Sequence, residues 1–421
     1  MKFILKYLQK EHILIWPFFL FPFLPTFIII DKLGIYYLYL SLLCLAFQIL
    51  FLIQKENIFK KIFFLNRPLL IFYFSFLIWQ IFSLVNAINL IEGIIEFFQY
   101  FTLFNSILIL SYLSSKIKNI NSFLIFILLF GLVECFVTLK IFFENFTFEY
   151  GLDRIRDLEG LSSNQNFNAF AILSKIPISI YFLNTNQKKV IRFLMSALIA
   201  LQFFLLFVIA SRASILCLFL LLIILIILHI TRKKLFIESF LSLKHLVVVL
   251  FSFMLSFGTH FFLYENKTEL RVQNRITSLQ DASTNYRILN YKEAIDGIID
   301  YPIFGVGIGN WKIISLKYAQ NRIENYEIPK HVHNDFLHIA VETGILGGIL
   351  FLSIFASILF FSFKQILLKK NQALSIVLLL LLTIYCFDSL FNFPRIRPYS
   401  QLNFFVITIV YSWIVQNKNN E

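Results

Sequence analysis

Residues 213–230 read ASILCLFLLLIILIILHI, and Arg232, Lys233 and Lys234 follow closely. The stretch holds no Asp, Glu, Lys or Arg and approaches the length of about 20 residues that an α-helix needs to cross a bilayer. Clustered lysine and arginine beyond such a run are typical of a loop that stays on the cytoplasmic side. The stretch therefore predicts a transmembrane helix.

The rest of the chain has a similar composition. Hydrophobic residues make up 59% of the 421 residues, charged residues make up 14%, and the mean hydropathy is +0.78. Soluble domains carry about a quarter charged residues, so this composition excludes a soluble globular fold. We predict an all-α polytopic membrane helical bundle of about 12 transmembrane helices, forming a single membrane domain over residues 1–421. The predicted spans are 13–31, 34–54, 69–87, 94–113, 121–140, 166–184, 192–210, 213–230, 246–263, 336–361, 372–390 and 401–416.

Lysine and arginine are unevenly divided between the predicted loops. If the N-terminus is cytoplasmic, that side carries most of them, in clusters that include 55–67, 188–192, 232–244 and 364–370. The net charge of +13 is thus largely a topology signal. Nucleic-acid binding would need a basic patch on a soluble module, and the sequence contains none. Membrane lipids are the expected surroundings, and no nucleic acid is expected as a partner.

Two predicted extracytoplasmic loops, about 144–165 and 264–335, are longer than a connection between helices requires. The second lies between spans 9 and 10. Within it, Tyr286–Ile299 has helical spacing, with Ser283 and Thr284 as candidate N-caps. The residues expected on one face of this helix are Arg287, Tyr291, Ala294 and Ile298. The large loop is therefore predicted to be ordered and partly helical.

Two arginines on the cation-poor side need an explanation. Arg212 sits in a tight Ser-Arg-Ala-Ser turn between two apolar runs, and Arg287 lies near the start of the loop helix. Either guanidinium can simply reach lipid headgroups or water. Together they also suit a diphosphate, because the planar fork of arginine matches phosphate oxygens without a metal ion.

Three histidines and one aspartate occur within residues 331–338, HVHNDFLH. These residue types ligate metals, but no second cluster of Cys, His and carboxylate exists elsewhere to complete a coordination shell. We predict no metal site and no cofactor. His333, with an ordinary pKa of ~6.5, is suited to accept a proton from a sugar hydroxyl. Glu342 and Asp388 are ionisable groups inside apolar spans, and each can pair with an arginine or orient the histidine.

Other polar features have a structural interpretation. The glycine-rich stretch 305–309, GVGIG, follows Pro302 and is predicted to be a turn and not a nucleotide-binding loop. The intramembrane charges Glu134, Lys140 and Lys175 are predicted to pair between spans five and six.

Several of these segments resemble the O-antigen ligase and polymerase family. The main block consists of residues 300–311, DYPIFGVGIGNW, and residues 333–347, HNDFLHIAVETGILG. Residues 160–169, GLSSNQNFNA, and the Ser211-Arg212 turn are similar to upstream features of the family, and residues 388–394, DSLFNFP, are similar to a weaker late motif. The sequence departs from the family in having His331 as well as His333, and in having Tyr291 where relatives often have tryptophan.

The resemblance implies a glycosyltransferase of the bacterial inner membrane with its active site on the periplasmic face. The donor would be a glycan linked to undecaprenyl diphosphate, and the acceptor either lipid A core or a lipid-linked glycan. The resemblance assigns Arg212 and Arg287 to the diphosphate and makes His333 the general base. Other implied substrate-binding residues are Asn164, Asn166 and Asn334. Supporting residues are Glu342, Asp388 and His338.

Alternatives remain at this stage. Transfer to lipid A core defines a ligase, and transfer to the next lipid-linked repeat defines a polymerase; a protein acceptor is also conceivable. A transporter or flippase of polyprenyl-linked sugars is the alternative from another class. Such transporters commonly contain internal repeats or Gly/Pro-broken helices in both halves, and neither is evident in this sequence.

The charge asymmetry places the loop 264–335 outside the cytoplasm. A cysteine introduced into this loop should react with a membrane-impermeant thiol reagent in intact spheroplasts, whereas a cysteine near Arg232 should be protected. The reverse labelling pattern would contradict the topology and, with it, the location of the site.

Overall fold

The computed structural model describes residues 13–24, 32–53, 67–145, 158–162, 164–235, 242–264, 282–320 and 329–417. These residues form helices and turns, and none of them belongs to a strand. The main helices are α1 (Lys32–Ile53), α2 (Arg67–Ser83), α3 (Leu90–Ser115), α4 (Ile120–Asn145), α5 (Gln165–Leu173), α6 (Ile176–Thr185), α7 (Lys189–Ile209), α8 (Arg212–Leu235), α9 (Leu243–Tyr264), α10 (Ala282–Asp300), α11 (Trp311–Ala319), α12 (Asp335–Leu367), α13 (Gln372–Ser389) and α14 (Pro398–Asn417).

Ten helical segments of the described residues are long and apolar enough to cross a membrane, with α5 and α6 together forming one of them. The predicted all-α polytopic membrane fold is confirmed. The predicted first span, 13–31, falls partly outside the described residues, and its described part contains the helical turn Pro17–Leu20. The predicted last span corresponds to α14, which is helical but carries the buried polar residues Gln401 and Asn403.

The chain divides into two compact units. The first contains 1–118, 281–361 and 389–420, and the second contains 119–280 and 362–388. In the first unit, α3 packs against α1, α2 and α14. In the second unit, α7 packs against α9, α6, α5 and α4.

The second unit contains a buried ion pair. Lys175 Nζ is 3.2 Å from Glu134 Oε1, and both side chains are almost fully buried. Lys175 stands at the break between α5 and α6 and is the N-cap of α6, whose second residue is Pro177. The predicted pairing of spans five and six is confirmed for these two residues. It is wrong for Lys140, which is exposed and lies 3.6 Å from Glu144 on its own helix.

In the first unit, α12 is broken at Gly344, whose φ of 76° and ψ of 176° are not helical. The 33 residues of α12 would span roughly 50 Å as a straight helix, well beyond the ~30 Å of bilayer hydrocarbon. With the break between α5 and α6, this gives one interrupted helix in each unit. The sequence-based expectation that no such breaks occur is therefore wrong.

The glycine-rich turn 305–309 fills the break in α12. Val306 N donates to Val341 O at 2.9 Å, and Gly307 N donates to Glu342 O at 3.0 Å. In an unbroken helix these carbonyls would accept hydrogen bonds from N–H groups four residues later. The break removes those donors, and a buried carbonyl without a hydrogen bond costs free energy of folding. Gly305 has a φ of 70°, and a Cβ there would lie 2.3 Å from the Glu342 carbonyl carbon. The prediction of a turn is confirmed, and the glycine permits its close contact with α12.

The loop helix α10 is confirmed, but it begins at Ala282. Ser283 and Thr284 therefore lie within its first turn, and their prediction as N-caps is wrong. Ala294 is fully buried, and Tyr291 and Ile298 pack around the same small core as Trp311 and Val341. The described part of the large loop is thus attached to α12 by a hydrophobic core of its own.

Gly344→Ala should lower the thermal stability of the detergent-purified protein. A Cβ at Gly344 would lie 2.0 Å from Ile303 O, and its positive φ adds a conformational cost of about 1–3 kcal/mol for a residue with a side chain. Gly258→Ala is the matched control, because a Cβ there meets nothing within 4 Å. Size-exclusion chromatography after heating measures both. Equal stability of the two variants would contradict a structural role for the break.

Candidate active site

The His331–Asn334 segment is held in place by α10. Tyr291 Oη donates towards two carbonyls, to His333 O at 3.1 Å and to Leu390 O at 2.8 Å. One residue earlier, Asn290 Nδ2 donates to His331 O at 3.5 Å. The tyrosine that departs from the family pattern thus ties the histidine segment to the turn that follows α13.

His333 has an unusual backbone conformation. Its φ is +62°, in the left-handed region that residues with side chains seldom occupy. Its ring centroid lies 5.0 Å from that of Phe393 and 6.1 Å from that of Tyr286. Its Nδ1 is buried and has no hydrogen-bond partner among the described residues. Strained residues with unsatisfied ring nitrogens occur at functional sites, so the geometry supports His333 as a candidate proton acceptor.

Arg287 lies one helical turn before Tyr291 on α10, on the side of α10 that holds the histidine segment. Burial lowers the pKa of His333 to about 4, and the positive charge of Arg287 contributes in the same direction. At neutral pH the imidazole is therefore uncharged and able to accept a proton. Arg287 and His333, two of the predicted site residues, are thus linked through Tyr291, which lies one turn after Arg287 and donates to the His333 carbonyl.

His338 and Glu342 support the segment from the other side. His338 Nδ1 accepts from Val332 N at 3.4 Å, and His338 Nε2 lies 3.3 Å from Glu342 Oε1. The same carboxylate oxygen accepts from Trp311 N at 3.1 Å. Glu342 therefore orients His338, and His338 holds the backbone directly before His333.

Asn334 caps α12. Its Oδ1 accepts from Phe336 N at 3.0 Å and from Leu337 N at 3.1 Å, which are donors left over at a helix N-terminus. The observed role of Asn334 is thus to fix the start of the helix next to His333. Its predicted role in substrate binding remains a prediction.

A charged centre that the sequence analysis missed lies beside this helix start. Arg395 Nε is 3.1 Å from Asp335 Oδ1, and its Nη1 is 2.9 Å from Glu96 Oε1. Nη1 also donates to Tyr100 Oη, and Arg395 N donates to Asp335 Oδ2 at 3.1 Å. Arg395 is only 6% exposed. Asp335, a residue of the recognised motif, was the one available signal, but Arg395 lies 60 residues from Asp335 and 299 residues from Glu96.

The second unit holds the remaining predicted residues. Arg212 is the first residue of α8, after a turn in which Ala210 adopts a left-handed conformation. Ser211 Oγ donates to Asn166 Oδ1 at 2.9 Å, and Asn164 caps α5 by accepting from Asn166 N at 2.9 Å.

Asp388, also in the second unit, is buried near the end of α13. The tight turn before Arg212 is confirmed. The convergence of Arg212 with Arg287 and His333 remains a prediction.

Four residues were considered as metal ligands in the sequence: His331, His333, Asp335 and His338. Among the described residues, no group of three or more His, Cys, Asp and Glu side chains is arranged to hold a metal ion. Asp335 is engaged with Arg395, and His338 with Glu342, so these side chains serve the structure around His333.

The fold and site define a multi-pass helical membrane protein with a histidine-bearing segment at the start of a broken helix. Residues 197–352 match the family model described as O-Antigen ligase. This region contains Arg212, Arg287 and His333, and the match confirms the resemblance seen in the motifs. Over these residues the chain is similar to the O-antigen ligase family, and the match supports a bacterial glycan-transferring membrane enzyme of the ligase and polymerase type that acts on lipid-linked glycans. A comparison with curated proteins gave no match.

Asp335→Asn should destabilise the protein strongly. Removing one partner of a buried ion pair costs about 3–5 kcal/mol, because it leaves the other charge uncompensated. Asp300→Asn is the matched control, since Asp300 pairs with Lys317 at 2.8 Å on the exposed surface, where pairs contribute little. Thermal unfolding in detergent measures both. A similar small effect of the two substitutions would show that the Arg395 centre is not structural.

Proposed function

We propose that the protein transfers a glycan from undecaprenyl diphosphate to an acceptor hydroxyl, on the periplasmic face of the inner membrane and without a metal ion. The observation that carries the proposal is His333, strained in its backbone and uncharged at neutral pH, with Arg287 one helical turn before the Tyr291 that binds the His333 carbonyl. A proton acceptor next to a cation suits a reaction that takes a proton from a hydroxyl while negative charge develops on a leaving group.

The reaction is a direct displacement at the anomeric carbon. The acceptor oxygen forms a bond to that carbon, while the bond between the carbon and the phosphate oxygen breaks. The electron pair of the broken bond leaves with undecaprenyl diphosphate, and the proton of the acceptor hydroxyl moves to His333. Attack opposite the leaving group inverts the anomeric configuration. The donor is already activated, so no nucleotide is required.

Arg212 and Arg287 are proposed to bind the diphosphate and to neutralise the charge that develops on it. Asn164, Asn166 and Asn334 would complete the substrate contacts. For Arg212 to act on the same diphosphate as Arg287, the two must lie within a few ångströms of the reacting atoms when substrate is bound. Asp388 is proposed as a supporting residue.

Donor binding also provides a way to strengthen the base. A pKa of about 4 makes His333 a weak proton acceptor in the free enzyme. A bound diphosphate would compensate the charge of Arg287, which is one cause of the lowered pKa. The pKa of His333 should therefore rise when the donor binds, so that the base gains strength when it is needed.

The acceptor is proposed to be lipid A core, which makes the protein a ligase. A polymerase, which extends lipid-linked repeats, is the close alternative. The glycans of a deletion strain distinguish them: uncapped core with accumulated polymer indicates a ligase, and core bearing a single repeat indicates a polymerase. Absence of any extracytoplasmic donor would instead indicate a flippase and overturn the proposal.

Substitution of His333 and of His331 in turn should distinguish the roles of these two histidines in transfer. His333→Ala should abolish transfer by purified protein in the presence of EDTA and without nucleotide, whereas His331→Ala should have a milder effect.

Arg212→Lys and Arg287→Lys should each reduce the rate on the order of 100-fold, because lysine keeps the charge but loses the bidentate fork. Loss of wild-type transfer on chelation, with recovery on adding zinc or magnesium, would refute the metal-free mechanism.

The pH dependence tests the state of His333. The value of kcat/KM should rise with pH through about 4, because the free enzyme is active only when His333 has lost its proton. The midpoint in kcat, which reports the substrate complex, should lie at higher pH. Arg287→Gln should move the kcat/KM midpoint upwards, since it removes a charge that lowers the pKa. Identical midpoints in kcat and kcat/KM would argue against activation of the base by the donor.

A further inference from the structure

The loop helix α10 carries an apolar stripe that the protein leaves exposed. Ile288, Ile295 and Ile299, here called the isoleucine stripe, are spaced by seven and four residues, which places them on one side of the helix. All three are exposed, Ile299 to 70%, whereas Ala294 on another side of the helix is fully buried. Ile303, just beyond the end of α10, is exposed as well. Single exposed apolar side chains are ordinary, but a row of them marks a surface that contacts another partner.

The level of α10 relative to the membrane follows from the connection between α2 and α3. The candidate spans that contain these two helices are separated by residues 87–89 alone. Such a connection lies at the edge of the hydrocarbon, because unpaired backbone groups are not tolerated against lipid. Asn86 Nδ2 donates to Gly305 O at 2.8 Å, and Asn89 N donates to Asn310 Oδ1 at 2.8 Å. The glycine-rich turn, which follows α10 closely in the chain, therefore lies at that edge.

The isoleucine stripe is continuous with the lipid-facing side of α12. Ile345, Ile349 and Leu352 of this candidate span are exposed, and large apolar side chains exposed on a span face lipid. Ile345 N donates to Pro302 O at 2.9 Å, so the exposed part of α12 begins at a hydrogen bond to the residue before Ile303. The exposed isoleucines of α10 and the lipid-facing side of α12 are thus joined through Ile303.

We propose that α10 lies in the interface of the bilayer, with the isoleucine stripe among the acyl chains of the leaflet on the predicted extracytoplasmic side. An amphipathic helix binds there through its apolar side and keeps its charged side in water. α10 meets this requirement, since it also exposes the charged residues Lys292 and Asp296. A protein partner is typically recognised through aromatic and arginine side chains, whereas the stripe is purely aliphatic, like the acyl chains. The proposal does not depend on the proposed transfer reaction.

Tyr291 connects this placement to the histidine segment. It belongs to α10, and its Oη donates to His333 O at 3.1 Å. A helix held in the membrane interface therefore fixes the backbone of His333 near the level of the lipid phosphate groups. The bilayer thus acts as a partner that sets the depth of the candidate site.

The test measures depth in the full-length protein reconstituted in lipid nanodiscs, where both membrane faces are accessible. Ile295→Cys and Ile299→Cys each carry an environment-sensitive fluorophore, and Ile288→Cys provides a third position on the stripe should one variant unfold. Asp296→Cys is the matched control, because Asp296 is exposed and lies about 100° around the helix from Ile295. Leu352→Cys is the reference for a lipid-facing position. The native cysteines are replaced by alanine in every protein: Cys44, Cys135, Cys217 and Cys386.

On the stripe, the emission should shift to the blue, quenching by aqueous iodide should be lost, and lipids with a nitroxide near the headgroup should quench strongly. A nitroxide near the bilayer centre should quench more strongly at position 352, and iodide should quench at position 296. Equal iodide quenching on the stripe and at 296 would place the stripe in water and overturn the proposal. Protection of the stripe from both iodide and nitroxide lipids would show that protein covers it, from this chain or a second copy, and would equally overturn it. Transfer is not measured, so failure of the proposed function would leave these outcomes unchanged.

Discussion

The break of α12 at Gly344 is the constraint on which the first unit depends. A helix interrupted inside a protein or a bilayer leaves carbonyls without their N–H partners, and these must find other donors. The backbone of the glycine-rich turn supplies them to Val341 and Glu342. The turn then leads directly to Trp311, whose backbone N–H donates to the Glu342 carboxylate. From there the contacts run through His338 to the backbone beside His333. The helix break and the candidate base are therefore parts of one hydrogen-bonded structure.

The same unit places its charges in two different settings. Arg395 is buried and compensated by Asp335 and Glu96, so its charge stabilises the start of α12. Arg287 and Arg397 instead act on the His333 imidazole and lower its pKa. A cation near an imidazole opposes its protonation, and a bound anion reduces that effect. Binding of a phosphate-bearing substrate would thus relieve the repulsion and strengthen the base at the same time.

The two interrupted helices bear on the choice between a transferase and a transporter. Broken helices and the buried Glu134–Lys175 pair are features also found in transporters, so helix continuity does not separate the two classes. In the first unit, however, the break is closed by backbone hydrogen bonds from the turn 305–309. This closed arrangement positions a histidine, and together with the family match over 197–352 it favours glycan transfer.

The sequence alone determined the membrane class, the helical fold and most of the spans, because the length of apolar chain that crosses a bilayer is a local property. It also predicted His333 from the motif of residues 333–347, and Arg287 from its place in the loop helix and from the family resemblance. Only the tertiary structure decided that Glu342 acts through His338, and that Arg395 joins Asp335 and Glu96 across separations of 60 and 299 residues. Such pairings leave no periodic pattern, since a buried charge requires a partner nearby in space but at no particular distance along the chain.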